Sequence, residues 1–306
     1  MIRFLLRRIG QGFLVVLGVT MVVFVATRLV GDPVQVMLPL SSTDQERADF
    51  RHQLGLDKPI PQQFVEFVGD LATLNFGNSL WQRRPALSVV FQHLPLTLEL
   101  IACGLGLAIL LSVPLGAFAA LRPGGVVDRI ATLGGLLGLS IPQFWLGLML
   151  IVFLAVKLHW LPTSGIGGPS HFILPAITMA LPSLARLMMM VRSSVIDELN
   201  QQYIRTARAK GLHFTQVLFG HAMRNALVPF LTLAGWEFIN AMAGYTVVVE
   251  SVFAWPGLGF TALKAIDHND LYLLQAIVFT VAIIIVIVNI AMDVVYKAID
   301  PRIKLA

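Results

Sequence analysis

Four ionisable side chains stand inside stretches that are otherwise apolar: Glu99, Arg186, Glu237 and Asp293. A charge removed from water is costly, so such groups face a bundle interior, a partner charge or a water-filled path. Glu237 has an apolar half-stretch on either side of it, which leaves two readings open. Either it lines a path for a solute, or it pairs with Arg186. Trp236 beside it, together with Trp145, would give such a path an amphipathic wall or would simply pack a helix bundle. Glu99 is a further path candidate; it lies near the end of its stretch, as Asp293 does, where capping or snorkelling accounts for a charge equally well. The run Met188-Met189-Met190 reads as packing.

Catalytic constellations are missing. No Gly-x-x-x-x-Gly-Lys-Ser/Thr occurs, so the chain has no P-loop with which to cradle nucleotide phosphates. Neither His-Glu-x-x-His nor Gly-x-Ser-x-Gly is present, and Gly138-Leu139-Ser140-Ile141-Pro142 stops short of the latter. The seven histidines lack paired ligand spacing, and Cys103 is the single cysteine. Metal centres and disulfide scaffolds are therefore not expected. The reading is a non-catalytic chain with no cofactor of its own.

The elements that must position these residues follow from composition. Of 306 residues, 57% are apolar and 13% charged, with a net charge of +5. Soluble domains carry about 25% charge, so a soluble globule is excluded, and the same hydrophobicity excludes disorder. Basic residues are interleaved with apolar spans rather than clustered, which argues against nucleic acid.

A helix needs about 20 apolar residues to cross the hydrocarbon core. Charge-free windows cover residues 9–27, 100–121, 130–156 and 271–292, while 172–191 holds Arg186 and 226–249 holds Glu237. The expectation is an all-α, polytopic integral membrane protein of six transmembrane helices. A small helical extracytoplasmic loop domain lies between the first and second. The first window reads as a retained anchor, because Val25-Ala26-Thr27 runs into Arg28 with no small-x-small cleavage site.

With both termini in the cytoplasm, that side collects Arg3, Arg7, Arg8, Arg122, Arg129, Arg192, Arg205, Arg208, Lys210, Arg224, Lys297, Arg302 and Lys304. The short outer loops hold only Lys157 and Lys264, the asymmetry expected when both termini lie in the cytoplasm. The regions expected are an N-terminal helix (1–30), an outer loop region (31–95), a five-helix core (96–296) and a cytoplasmic tail (297–306). Within the outer region, 44–54 and 62–74 read as short amphipathic helices. Pro114, Pro142, Pro175 and Pro182, with dense glycine over 134–147, suit kinked and closely packed helices.

The cytoplasmic stretch 193–225 is long for a helix connection and contains no proline. Residues 195–210 read as one helix, with Val195, Leu199, Tyr203 and Ala207 on a stripe and Gly211 as its C-terminal cap. A second short helix is expected over 214–222. Thr206, Ala207 and Ala209 would expose backbone among the cations. Two readings fit: a knob that takes mechanical input from a soluble partner, or an amphipathic loop resting on anionic lipid.

The run Tyr203-Ile204-Arg205-Thr206-Ala207-Arg208-Ala209-Lys210-Gly211, followed by His221-Ala222-Met223-Arg224-Asn225-Ala226-Leu227-Val228-Pro229, resembles the coupling-loop signature of permeases in binding-protein-dependent ABC importers. It is most similar to the dipeptide, oligopeptide and nickel branch. The superfamily pattern is Glu-Ala-Ala, three residues, then Gly; here Arg205-Thr206-Ala207 precedes Gly211, the form familiar in the peptide branch. Gly31-Asp32-Pro33, Leu54-Gly55-Leu56-Asp57-Lys58-Pro59, Ile173-Leu174-Pro175-Ala176, the run from Val249 to Gly259 and Asp300-Pro301-Arg302 extend the resemblance along nearly the whole chain.

The resemblance implies a permease subunit for di- or oligopeptides that forms half of a translocation pathway. Its implied partners are a homologous second permease, two ATPase subunits that carry ATP and Mg, and an extracytoplasmic solute-binding protein, besides membrane lipid. Nickel or metal-chelate, glutathione and opine-like solutes belong to the same branch. An ion-coupled secondary carrier is the rival from another class, although no internal repeat is visible. Trp255-Pro256-Gly257, between the fifth and sixth spans, is either an extracytoplasmic docking element or an interfacial aromatic anchor.

Overall fold

A computed structural model describes residues 2–29, 34, 38, 42–53 and 57–299, with the backbone alone at 2, 3, 5, 27–29, 53 and 296–299. The runs Gly31-Asp32-Pro33 and Asp300-Pro301-Arg302, and residues 54–56, lie outside it. The described residues are helical throughout, apart from turns and one isolated antiparallel bridge between Asn78 and Pro85. In chain order the helices are α1 (Ile2–Leu29), α2 (Asp44–Gln53), α3 (Ile60–Ala72), α4 (Ala86–Leu121), α5 (Val126–Ser140), α6 (Gln143–Leu150), α7 (Ser170–Leu199), α8 (Gln202–Ala209), α9 (Phe214–Val252), α10 (Leu258–Asp267) and α11 (Leu271–Ile299). The chain divides into two compact units, Met1–Pro95 with Thr261–Ile290, and Leu96–Phe260 with Ala291–Leu305.

In the first unit α1 packs closely on α11, since a Cβ at the buried Gly12 would run into Val286. Helices α2 and α3 form near the expected places. Thr43 and Glu46 cap α2 reciprocally, with Thr43 N donating to Glu46 Oε2 at 2.8 Å and Glu46 N to Thr43 Oγ1 at 3.3 Å. The Thr43 N–H and hydroxyl, which both donate to Glu46 Oε2, hold the Glu46 carboxyl below its ordinary value. The apolar face of α3 closes on α1 through Phe24, whose ring lies 5.2 Å from Phe64 and 5.5 Å from Phe67. The turn before α4 is tied to the start of α11 by the buried Asp270, which accepts from Ser79 Oγ at 2.5 Å, Trp81 N at 3.1 Å and Leu273 N at 3.1 Å.

The second unit is built around α7. Ala108, Ala117 and Ala120 of α4, Leu187, Val191 and Val195 of α7, and Phe230 of α9 form one buried cluster. Small residues set the helix separation: a Cβ at Gly104 would come within 2.9 Å of Met179, and one at Gly116 within 2.6 Å of the Met188 carbonyl oxygen. Pro182 lies inside α7 and has no N–H to offer Thr178 O, one turn back. Gln143 Nε2 donates to that freed carbonyl at 3.4 Å.

Among the described residues, five helices are long and apolar enough to cross a membrane. They become six if α5 and the 143–157 segment count as one span. The kink that Pro142 suggests within the 130–156 window is a bend of 100° at Ile141-Pro142. Proline forces the preceding residue out of the helical region, and Ile141 is extended at φ −81°, ψ 122°. The second span begins earlier than its charge-free window, at Ala86. The fifth begins at Phe214 and runs to Val252 as a rod interrupted only by π-helical turns at Leu218–Ala222 and Ala241–Tyr245.

Candidate functional site

The stretch between α7 and α9 is a small knob with its own core. The single helix expected over 195–210 is broken: α7 stops at Leu199, Asn200 Nδ2 turns back to Ile196 O at 3.0 Å, and Gln201 is extended before α8 starts. Amide side chains that bond nearby carbonyls compete with helix continuation. The break shifts the buried positions of α8 to Ile204 and Ala207, which pack with Val217 and Ala222, while Tyr203 is 38% exposed. Ala207 is thus inside the knob rather than exposed among the cations. Arg205, Thr206, Arg208, Ala209 and Lys210 are exposed, as expected.

Gly211 ends α8 at φ +80°. Its N–H donates to Arg208 O at 3.0 Å and the Leu212 N–H to Ala207 O at 3.3 Å, the paired bonds of a Schellman cap. The knob is fastened to the bundle at Tyr203, whose hydroxyl donates to Glu198 and accepts from Asn225 Nδ2 at 3.0 Å. Burial, and the bond to Glu198, hold the Tyr203 phenol above its ordinary value, so it stays a donor at neutral pH.

Within the spans the structure brings Arg186 and Glu237 together. Arg186 Nε donates to Glu237 Oε1 at 2.5 Å and Nη2 to Oε2 at 2.8 Å, and Ser183 Oγ adds a third bond at 2.7 Å. Glu237 is 1% exposed. The path-lining role for Glu237 is therefore corrected to the paired one: its carboxylate is buried and accepts three bonds within the bundle. Trp236 faces outward at 59% exposure, and Glu99 is also exposed and joins no part of this network.

Two further polar sites escaped the sequence reading. Asp128, in the first turn of α5, pairs bidentately with Arg192 of α7 and accepts from Gly124 N at 2.7 Å. Glu250, fully buried near the end of α9, accepts from Thr97 Oγ1 at 2.7 Å and Phe260 N at 2.9 Å. Thr97 Oγ1 in turn accepts from Leu258 N at 2.7 Å. An acidic residue one step beyond the 226–249 window was the available signal for Glu250.

The chain after Glu250 wraps around it. Trp255 is 1% exposed, its ring lies edge-on to Phe172 at 4.6 Å, and its indole Nε1 donates to Leu96 O at 3.1 Å. Gly257 is buried as well and Pro256 half-buried. This corrects both readings of Trp255-Pro256-Gly257: the ring is neither a docking group nor an interfacial anchor but packs inside against Phe172, while Gly257 closes the turn over the Glu250 carboxyl.

The sequence from residue 112 to 305 matches the family described as "Binding-protein-dependent transport system inner membrane component", and residues 1–101 match the family of its N-terminal part. The chain belongs to that transport family. As a permease component it is 35% identical to the oligopeptide transport system permease protein AppB of Bacillus subtilis, over 99% of this chain and 100% of that one. It is 36% identical to the di/tripeptide transport system permease protein DppB of Pseudomonas aeruginosa, over 99% of each. The dipeptide permease DppB of Escherichia coli K12 is 33% identical over the same shares. A solved structure of the inward-facing MetNI methionine ABC transporter matches 69% of this chain and 96% of its own at a TM-score of 0.56 and 18% identity, a likeness of fold.

The knob of this permease yields two expected results. Gly211→Val places a β-branched residue at φ +80°, a strain of about 1–2 kcal/mol, with nothing within 4 Å of the new Cβ to clash. The chain should express at near-normal level while solute uptake falls severalfold; wild-type uptake rejects a role for the cap. Ala207→Trp must force an indole among Ile204, Val217 and Ala222, and overpacking costs about 1–3 kcal/mol. Its knob should become protease-sensitive at 200–215, a cleavage pattern that Ala209→Trp, on the exposed face, should not show.

Proposed function

We propose that this permease forms half of the pathway by which an ATP-driven importer passes di- and oligopeptides inward. The observation that carries the proposal is the end-to-end similarity to permeases named for di-, tri- and oligopeptides, at 33–36% identity. Those names weigh against a nickel, metal-chelate, glutathione or opine-like solute. The chain has no P-loop, so ATP and Mg belong on two partner ATPases, with a homologous second permease and an extracytoplasmic solute-binding protein completing the assembly.

In this reading both termini and the exposed row Arg205, Thr206, Arg208, Ala209, Lys210 and Gly211 face the cytoplasm, where the ATPases push on the knob. Tyr203 and the buried Ala207 transmit the push by holding α8 to α7 and α9. Residues 31–95 lie outside, 96–296 form the core and 297–306 the tail. Trp236 and Glu99 remain surfaces offered to the path.

Copurification tests the assembly. Tagging this chain and extracting it in detergent should recover a second permease and two ATPases, and the reconstituted assembly should take up dipeptide only with ATP and binding protein. A lone oligomer, driven by an ion gradient without ATP, would point instead to a secondary carrier. Single-cysteine labelling in a Cys103→Ser background tests orientation, and a cysteine at Gln62 that reacts only from the cytoplasmic side overturns it.

A further inference from the structure

The Arg186 guanidinium sits near the middle of a 30-residue membrane helix with its side chain 31% exposed. Nε and Nη2 are committed to Glu237, and Nη2 also donates to Tyr245 Oη at 3.2 Å. The guanidinium carbon lies 5.7 Å from the centre of the Tyr245 ring. Nη1 has no partner among the described residues, and neither does the Tyr245 hydroxyl proton. Two donors therefore stand unspent on the exposed side of a span. Hydrocarbon cannot satisfy them, so that side meets water or a polar ligand.

We propose that the Arg186 Nη1 edge and the Tyr245 hydroxyl form a transient recognition point for the solute's free carboxylate in the translocation path. The inference rests on the peptide reading above. A guanidinium and a hydroxyl side by side suit the two oxygens of a carboxylate, which guanidinium groups bind through paired N–H donors. Glu237 already balances the arginine charge, so a second carboxylate is held mainly by hydrogen bonds. Weak holding fits a path, where a site must release what it binds. Ser183 and Glu237 act behind it as positioning residues, since they fix the guanidinium plane and leave Nη1 facing outward.

The test uses the complete transporter in proteoliposomes with saturating binding protein. Its solutes are a dipeptide and the C-terminal amide of the same dipeptide, chosen so that the binding protein holds both. The readout is the ratio of the two uptake rates. Because the binding protein is common to every assay, a change of ratio between variants belongs to the permease. Tyr245→Phe and Arg186→Lys should each cut the wild-type preference for the free carboxylate by about tenfold, the effect of losing a hydrogen bond to a charged group. Tyr245→Phe leaves the Arg186–Glu237 pair in place and carries the test if Arg186→Lys lowers yield. An equal fall for both solutes, or an unchanged ratio in Tyr245→Phe, overturns the site. Failure of the wild type to move either solute rejects the peptide reading, seen before any variant is made, and removes this inference with it.

Discussion

Glu237→Gln lowers the folded, detergent-extracted yield of this permease severalfold, and adding Arg186→Gln restores most of the loss. The wild-type carboxylate accepts two bonds from Arg186 and one from Ser183 in a pocket that leaves Glu237 1% exposed. Glutamine turns one acceptor into an amide donor that faces N–H groups, so a buried cation loses both its counter-charge and half its bonds. Breaking a buried pair in this way costs about 3–5 kcal/mol; the lower end applies, because Arg186 is 31% exposed and regains some hydration. Two glutamines carry donors and acceptors on both sides and no net charge, which is why the double variant recovers. Yield and thermal melting of the two singles and the double decide the matter. A Glu237→Gln protein with wild-type melting would show that the pair contributes nothing.

What was legible in the sequence follows from how local the cause is. Gly211 was readable as a cap because a helix end at positive φ needs only glycine and its neighbours, and α2 and α3 were readable because capping and periodicity act within a few residues. A kink at Pro142 was readable from the proline, but its size of 100° was not, because hydropathy over 130–156 is uniform. Hydropathy reports the cost of leaving lipid and carries no information on direction. The break after Leu199 involves neither proline nor glycine. It depends on amide side chains choosing backbone partners, and one such choice broke the register between Val195 and Leu199 on α7 and Tyr203 and Ala207 on α8.

Long-range polar pairing lay further out of reach. The Arg186–Glu237 contact joins residues 51 apart and Thr97–Glu250 residues 153 apart. Span assignment shows that each charge needs a partner without saying which. For Glu237 that need correctly named Arg186 as one of two solutions. For Trp255 it misled, since a tryptophan beside Pro-Gly in an outer loop has the composition of an exposed anchor, and its burial comes from partners distant in sequence, Phe172 and Leu96.

That covered carboxyl makes a single added methyl group strongly destabilising. In Gly257→Ala the new Cβ falls on the Glu250 carboxylate and 2.5 Å from Thr97 Oγ1. Both neighbours are buried, at 0% and 1% exposure, and each is held by bonds that the displacement would break: Thr97 to Glu250, Phe260 N to Glu250, and Leu258 N to Thr97. Overpacking alone costs about 1–3 kcal/mol, and a buried polar group left short of a partner adds about 1–3 kcal/mol more. Among the described residues no cation stands ready to compensate Glu250. The turn therefore has to open, which withdraws Trp255 from Leu96 O and exposes an indole meant for the interior. Gly257→Ala should accordingly yield little folded protein and no uptake. Gly106→Ala, inside α4 with nothing within 4 Å of its Cβ, should match or slightly exceed wild type, since alanine favours a helix interior by about 1 kcal/mol over glycine. The two variants carry the same chemical change, so equal yields and equal melting would mean that the closed turn over Glu250 is not a structural requirement of the permease.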